Sequence, residues 1–592
     1  MCGIIGRLNS HEPVDRRIFT QMRDSMFHRG PDDCGLYFSE DQLLALGHRR
    51  LSLIDLTENG RQPLSNEDKT IWLTVNGEIY NFAELKDQLK KCGHRFSSNT
   101  DSEVIIHGYE EWGIEVLNKL KGMFAFALWD QDQQQLFLAR DRFGIKPLYY
   151  YSDRNTFIFA SEIKGIITDK EVPQKIDFTS FCDYFVYRYV PSPKTIWENI
   201  YKLPPAHYML VNKSGKTSIN RYWEIPLGNN NIPKEEVVEK VDELLLQSVK
   251  GHIVSDVPIG SFLSGGYDSS ALVYYMSRLD YPTQTFSIGF ENWKDSEHKY
   301  AEIVANRFKT RHTSKIVCKE ELDLVEKLSY YYDEPIADIS IIPTYVVSNT
   351  ASQHVKAVLS GEGADEIFGG YTWHKTYLDN VKDISFFEKI KNRLGLNDKP
   401  FGVEEYSNAM AMGKFDEQAL KKLLNDDLSP HIQQNADWFY QKHFRRNLSP
   451  VKSFQYLDVN SFMSELVLAK IDRSSMANSL EVRVPYLDHD LVEYMFQIKE
   501  NVYFKENHKK YVLYENIKNS LPDVILQRSK QGFVGPDSYY QDLNWYKNVL
   551  LDGKLLADDI IKRKTVEEWL QAEDHWRLWK ILVMEHWYAR WC

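Results

Sequence analysis

Cys2 carries a thiol on the residue whose nitrogen becomes a free α-amino group once the initiator Met1 is removed. Such an amine titrates at roughly pH 7.7–8.0, so it can take the thiol proton directly or through one water. That is a nucleophile with its own base. A cysteine here could equally be an incidental buried residue, and its company decides between the two. A second group with chemical spacing is Ser264-Gly265-Gly266-Tyr267-Asp268-Ser269-Ser270, which follows the apolar run Ile259–Leu263 and opens a helical pattern, Ser270–Leu279. Small residues at a strand-to-helix turn let backbone N–H groups surround a phosphate, and the helix N-terminus favours its charge. The spacing is neither GxxxxGK(S/T) nor GxGxxG, which disfavours P-loop kinases and dinucleotide folds.

The elements around these residues fall into two patterns. From residue 1 to about 210, short β-type runs (Leu43–Gly47, Ile71–Val75, Phe124–Trp129, Leu136–Ala139, Thr156–Ala160) alternate with brief helical stretches, Ala83–Lys91 and Ser102–Trp112. This predicts an α+β domain of antiparallel sheets. Residues 211–235 read as a linker, centred on the turn-forming Pro226–Pro233 stretch. From 236 to 592, helical patterns alternate with the apolar strands Ile259–Leu263, Thr285–Ile288 and Val355–Leu359, which predicts a parallel sheet flanked by helices. Beyond about 400 the chain reads as helical.

Composition narrows the class. The 592 residues are 43% apolar and 26% charged, with a net charge of −12. Acidity argues against a nucleic-acid partner, whose phosphates need Lys/Arg clusters. There is no apolar run of about 18 residues and no signal-peptide pattern, so neither a membrane nor export is expected. The cysteines at 2, 34, 92, 182, 318 and 592 form no CxxC pair, which suits a reduced cytoplasm and neither a disulfide framework nor a zinc site.

Six motifs accompany Cys2: His28-Arg29-Gly30-Pro31-Asp32, Arg50-Leu51-Ser52, Asn76-Gly77-Glu78-Ile79-Tyr80-Asn81, Thr100-Asp101-Ser102-Glu103, Gly122-Met123-Phe124-Ala125-Phe126-Ala127 and Arg140-Asp141-Arg142-Phe143-Gly144-Ile145-Lys146-Pro147. Singly these are turns, loops and core strand. Together they resemble the glutamine amidotransferases with an N-terminal cysteine, which implies a four-layer α-β-β-α sandwich. Thiolate attack on the glutamine amide creates an oxyanion that needs donors already in place. By resemblance these are the Asn76 side chain and the Gly77 N–H. Arg50 is then the partner of the substrate carboxylate, and Glu78 with Asp101 of its ammonium.

The Ser264–Ser270 loop comes with Phe286-Ser287-Ile288-Gly289-Phe290 and Leu359-Ser360-Gly361-Glu362-Gly363-Ala364-Asp365-Glu366. The set resembles the pyrophosphate-loop ATPases, which split ATP into AMP and pyrophosphate. Resemblance puts Ser264, Gly265, Gly266, Ser269, Ser360 and Gly361 at the phosphates, and Asp268 and Asp365 on Mg²⁺, a hard cation that takes oxygen ligands. N-capping is the competing reading of both aspartates. Ile288 would lie against adenine or simply pack in the core. Lys510 matches the family lysine at the departing pyrophosphate, with a solvated helix lysine as the rival. The segments Lys470–Met476 and Glu481–Asp488 match a helical part of the same family, or form a salt-bridge network. The stripe Trp576, Trp579, Val583 and Trp587 is core.

Both halves together resemble the glutamine-hydrolysing asparagine synthetase family. The resemblance implies ATP and Mg²⁺ as cofactors, glutamine as amido donor, Glu362 facing the acceptor and ammonia, and often a homodimer. L-Aspartate is the leading acceptor. Asp333–Ser340 departs from the Thr-Thr-x-Arg-Ala-Ser run of well-understood aspartate enzymes, and Tyr267 and Tyr514 depart elsewhere. A sugar uronic acid or natural-product carboxylate is therefore the alternative acceptor, and a non-catalytic relative the remote one.

Overall fold

A computed structural model of the chain describes residues 2–383, 402–505, 508, 510–528 and 531–592. The first part builds two six-stranded sheets. In one, the strands run in the order Ile200–Lys202, Tyr149–Ser152, Thr156–Ala160, Gly3–Asn9, Leu44–Arg50 and Asp33–Phe38. In the other the order is Thr217–Arg221, His207–Asn212, Gln135–Arg140, Gly122–Asp130, Ile71–Ile79 and Leu64–Ser65. All pairings within both sheets are antiparallel.

Strand alternation produces the four layers. Ile4 points between the sheets with Leu46, Ala127, Phe159 and Met209. Ile5, one residue on, points outward to Phe19, Met22 and Ile163, on or beside the helices Arg16–Asp24 and Ile163–Ile167. On the far side, Leu73 and Val75 of the second sheet pack against Leu85, Val104 and Ile105 of the helices Phe82–Lys91 and Glu103–Trp112. Each buried face is covered by apolar residues on its neighbour, the usual driving force for such layers.

The hairpin His207–Asn212/Thr217–Arg221 carries the second sheet through residues that the sequence reading assigns to the linker. Past it, the chain is pinned to the second part at Gly228 and Asn230, whose N–H groups donate to Phe496 and Gln497 carbonyls.

The second part holds a five-stranded parallel sheet in the order Arg311–Val317, Gln284–Phe290, Ile259–Phe262, Ala357–Leu359, Glu481–Arg483. The chain moves one way from the Ile259–Phe262 strand to its first and second neighbours on that side, then returns to its other side. That reversal makes a crevice at the carboxyl ends of adjacent strands, where ligands of open parallel sheets bind. The Ser264–Ser270 and Ser360–Asp365 loops emerge from the two strands flanking it. The Arg311–Val317 strand was not expected from sequence. Glu481–Arg483 is a buried edge strand and not part of a helix. The last helix, His575–Trp591, buries Trp579, Val583 and Trp587 as the stripe predicts. No helix among the described residues is long and apolar enough to cross a membrane.

Candidate active sites

The first site forms where the strands Gly3–Asn9 and Ile71–Ile79 begin and end. The backbone N–H of Cys2 donates to Asn76 Oδ1 at 3.1 Å. Asn76 is fully buried, and its Nδ2 has no hydrogen-bond partner. A buried amide donor left unpaired costs stability unless something arrives to accept from it. Burial pushes the Cys2 thiol up, while the amino-terminal charge, the Leu51 N–H and Arg50 pull it down.

Asn76 and Glu78 share one face of their strand, two residues apart. Gly77, between them, sits tight against the neighbouring strand. A Cβ there would lie 2.2 Å from the Met123 carbonyl oxygen and 2.6 Å from the Phe124 Cα, so the glycine lets the neighbouring strand approach. Arg50 is moored by the loop after it: Nη1 donates to the Thr57 carbonyl at 3.1 Å and Nη2 to those of Ile54 and Asp55. Asp101 accepts from the Ile79 N–H at 2.6 Å, and burial pushes its carboxyl up to about 6.

Glu78 meets a residue that sequence reasoning missed. Arg483 Nη2 lies 3.2 Å from Glu78 Oε2, and its Nε donates to Glu481 Oε1 at 2.7 Å. Burial, then the Glu481 charge, raise Glu78 well above the usual carboxylate range. Burial also opposes ionisation of Glu481, but the amino-terminal charge, Arg483 and Lys146 outweigh it and hold that carboxyl at about 2. Arg29 makes a parallel link. It donates from Nε to the Cys2 carbonyl at 3.0 Å and from both terminal nitrogens to Asp472 at 2.9 and 3.1 Å. Arg473 pairs with Glu162 at 2.8 Å and Asp333 at 3.2 Å. The charged 470–483 stretch is thus an ion-pair network between the two parts.

The second site is a cavity of about 740 Å³ at the sheet crevice. Ser264, Gly266, Asp268, Ser269, Ile288, Ser360, Gly361, Glu362, Asp365 and Lys510 all line it. Gly265 stands apart: it turns the loop at φ 73°, with Tyr300 and Ala301 packed where a Cβ would project. Ser264 and Ser269 hydroxyls bond at 3.1 Å and brace that turn. Lys510 Nζ sits between two carboxylates, 2.5 Å from Asp268 Oδ1 and 2.7 Å from Asp365 Oδ1. Gly370 makes room, since a Cβ there would strike Asp365 Oδ1 and Lys510 Cε. Lys510 is a buried ion-pair partner and not a solvated lysine. The Ser360 hydroxyl donates to Glu362. Burial and Asp365 push the neighbouring Glu366 up to about 8, and the Tyr371 hydroxyl donates to it at 2.6 Å.

The two sites are joined through backbone. Arg483, whose side chain reaches Glu78, accepts through its carbonyl from the Ser360 N–H at 2.9 Å. The only signal in the sequence was the pair of opposite charges around Val482.

A nucleophile site and a nucleotide-type crevice in one chain define a glutamine-dependent ligase, and comparison with known proteins gives the same class. Residues 1–223 match the family described as "Glutamine amidotransferase domain", and residues 240–589 match "Asparagine synthase". "Asparagine synthetase [glutamine-hydrolyzing] 1" of Bacillus subtilis is 33% identical, over 100% of this chain and 96% of its own length. "Asparagine synthetase [glutamine-hydrolyzing] 3" of the same organism is 31% identical over 97% and 94%. "Amidase chry2" of Gibberella zeae is 26% identical over 97% and 94%. The chain belongs to the glutamine-hydrolysing asparagine synthetase family.

Proposed function

We propose that the chain makes L-asparagine from L-aspartate, taking nitrogen from glutamine and energy from the cleavage of ATP to AMP and pyrophosphate. Met1 lies outside the described residues; its removal turns the Cys2 nitrogen into the amine that receives the thiol proton. The thiolate attacks the glutamine amide. Asn76 Nδ2 and the Gly77 N–H stabilise the oxyanion, Arg50 holds the substrate carboxylate, and Glu78 and Asp101 hold its ammonium.

In the second site, Ser264, Gly265, Gly266, Ser269, Ser360 and Gly361 receive the ATP phosphates and Ile288 the adenine. Lys510 moves its charge to the departing pyrophosphate. Glu362 faces the acceptor and the arriving ammonia. Asp268 and Asp365 fit a divalent cation, because both carboxylates already converge on one positive charge and offer the oxygen donors that Mg²⁺ takes. Bound there, Mg²⁺ would neutralise phosphate charge.

The observation that carries this reading is the joint at Arg483, which ties Glu78 to the backbone of the Ser360 loop. The names of the relatives support aspartate as acceptor. A different carboxylate is the second reading, favoured by the full-length similarity to a relative named an amidase. The test is pyrophosphate release with ATP, Mg²⁺ and glutamine, with and without L-aspartate. Aspartate-dependent release accompanied by asparagine supports the proposal. Glutamine hydrolysis with no aspartate-dependent release removes aspartate as the acceptor.

A further inference from the structure

Arg188 lies within the amidotransferase part of the sequence, yet it lines the cavity of the synthetase part. It caps the helix Phe178–Tyr187 in the left-handed region at φ 74°, with its N–H donating to the Tyr184 carbonyl at 2.7 Å. Its own carbonyl accepts from the Ala337 N–H at 2.9 Å. These two bonds fix the residue against the 333–340 segment of the other part. A non-glycine residue in that backbone region is costly, and such strain persists only where the surroundings enforce it.

The side chain is 11% exposed and lies over the Phe462 ring, 5.8 Å from its centroid. Its Nε is buried without a hydrogen-bond partner. The nearest carboxylate, Asp338, is 4.0 Å from Nη1, beyond hydrogen-bond reach. One Asp338 oxygen is already taken by the N–H and hydroxyl of Ser340. The Ser340 hydroxyl in turn accepts from Lys470 Nζ at 2.9 Å. The guanidinium therefore reaches this end of the cavity with unused donors, and a second cation stands close by. A planar fork with free donors in a desolvated wall matches a carboxylate, which it grips at two points.

We infer that Arg188 anchors a second, non-reacting carboxylate of the acceptor, so that the amidotransferase part supplies a specificity residue to the synthetase site. The inference rests on the reading of this cavity as the site where the acceptor carboxylate is activated. An acceptor with two carboxylates is then selected over one that lacks the second. Asp338 beside it offers an anionic oxygen to a neighbouring ammonium, the arrangement that an α-amino acid end requires.

The test measures pyrophosphate release with ATP, Mg²⁺ and ammonium for three dicarboxylates, each paired with its analogue lacking one carboxylate. The pairs are L-aspartate with β-alanine, L-glutamate with 4-aminobutyrate, and succinate with propionate. The wild type is expected to use a dicarboxylate and discriminate against its partner. Arg188→Gln should raise the KM for that dicarboxylate by about 10- to 100-fold, the worth of a charge-assisted hydrogen bond, with the KM for ATP unchanged. The same variant should lose most of the discrimination, and Arg188→Lys should recover part of it. The lysine variant and the ATP KM separate a lost contact from a misfolded protein.

If another dicarboxylate works where aspartate fails, and depends on Arg188, the aspartate reading falls and this inference stands. Discrimination that survives in Arg188→Gln overturns the inference while leaving the activity intact. A wild type that uses no dicarboxylate, or uses the single-carboxylate partner equally well, overturns it too.

Discussion

The guanidinium of Arg483 lies 3.2 Å from the carboxylate of Glu78, and the two residues belong to different parts of the chain. Arg483 also donates to the carbonyls of His252 and Val254 at 2.7 and 2.8 Å. Its strand is bonded to Ala357–Leu359, which feeds the Ser360 loop. Arg483 therefore joins Glu78 to the backbone that holds one wall of the second cavity.

Arg483→Gln leaves Glu78 and Glu481 buried together without their shared cation. Removing one partner of a buried pair costs about 3–5 kcal/mol. The variant should melt at lower temperature and show a raised KM for glutamine, measured by calorimetry and by glutamate release. Unchanged values for both would mean that Arg483 braces neither site.

Asn76→Ala removes the unpaired Nδ2 donor and the acceptor of the Cys2 nitrogen together. Glutaminase kcat should fall by roughly 10²–10³, the usual loss for one oxyanion donor. Asn76→Asp keeps an oxygen for Cys2 and replaces the donor with a second carboxylate oxygen, whose charge also opposes an oxyanion. It should be at least as impaired as the alanine variant, and a near-wild-type rate would remove the oxyanion-donor role from Asn76.

Asp101 gives a pH signature. Burial holds its carboxyl up at about 6, above the usual 3.8. As pH falls from 7 through about 6, the free enzyme binds a proton there and loses the negative charge that the proposed function sets against the substrate ammonium. The kcat/KM for glutamine reports groups of the free enzyme, so it should decline on the acid side with a midpoint near 6. Asp101→Asn should lower kcat/KM and remove that limb of the profile. A limb that persists in the variant belongs to another group.

Asp268→Ala should eliminate pyrophosphate release and spare glutamine hydrolysis, since the residue lines the second cavity. Lys510 loses one of its two anionic partners in that variant and keeps Asp365. Loss of both activities would indicate that the sites cannot operate apart.

Much of this arrangement is legible in the sequence, for reasons that differ by element. The strand Thr156–Ala160 has the bounds of the β-type run read from the sequence. The strand read as Ile71–Val75 runs on to Ile79, because Asn76-Gly77 looks like a turn but is held in the ladder opposite Ala125 and Phe124. Tertiary pairing overrides a local turn signal there. The glycine- and serine-rich Ser264–Ser270 loop follows a strand as its spacing predicts, which is a local property. Arg483 and Arg188 were not found as site residues. Their roles depend on partners more than a hundred residues away, Glu78 for one and the 333–340 segment for the other, and no periodicity encodes such a meeting. Glu481–Arg483 is also too short and too charged to read as a buried strand. Its charges are tolerated because Glu481 and Arg483 neutralise one another.

The measurement that tests the account most directly is amide synthesis by Cys2→Ala with each nitrogen source in turn. With ammonium, ATP, Mg²⁺ and the acceptor, the variant should form product and pyrophosphate at close to the wild-type rate. With glutamine in place of ammonium it should form none and release no glutamate. Glutamine-supported product from Cys2→Ala would contradict the account, because the nitrogen would then reach the second site without the nucleophile that the first site is built around.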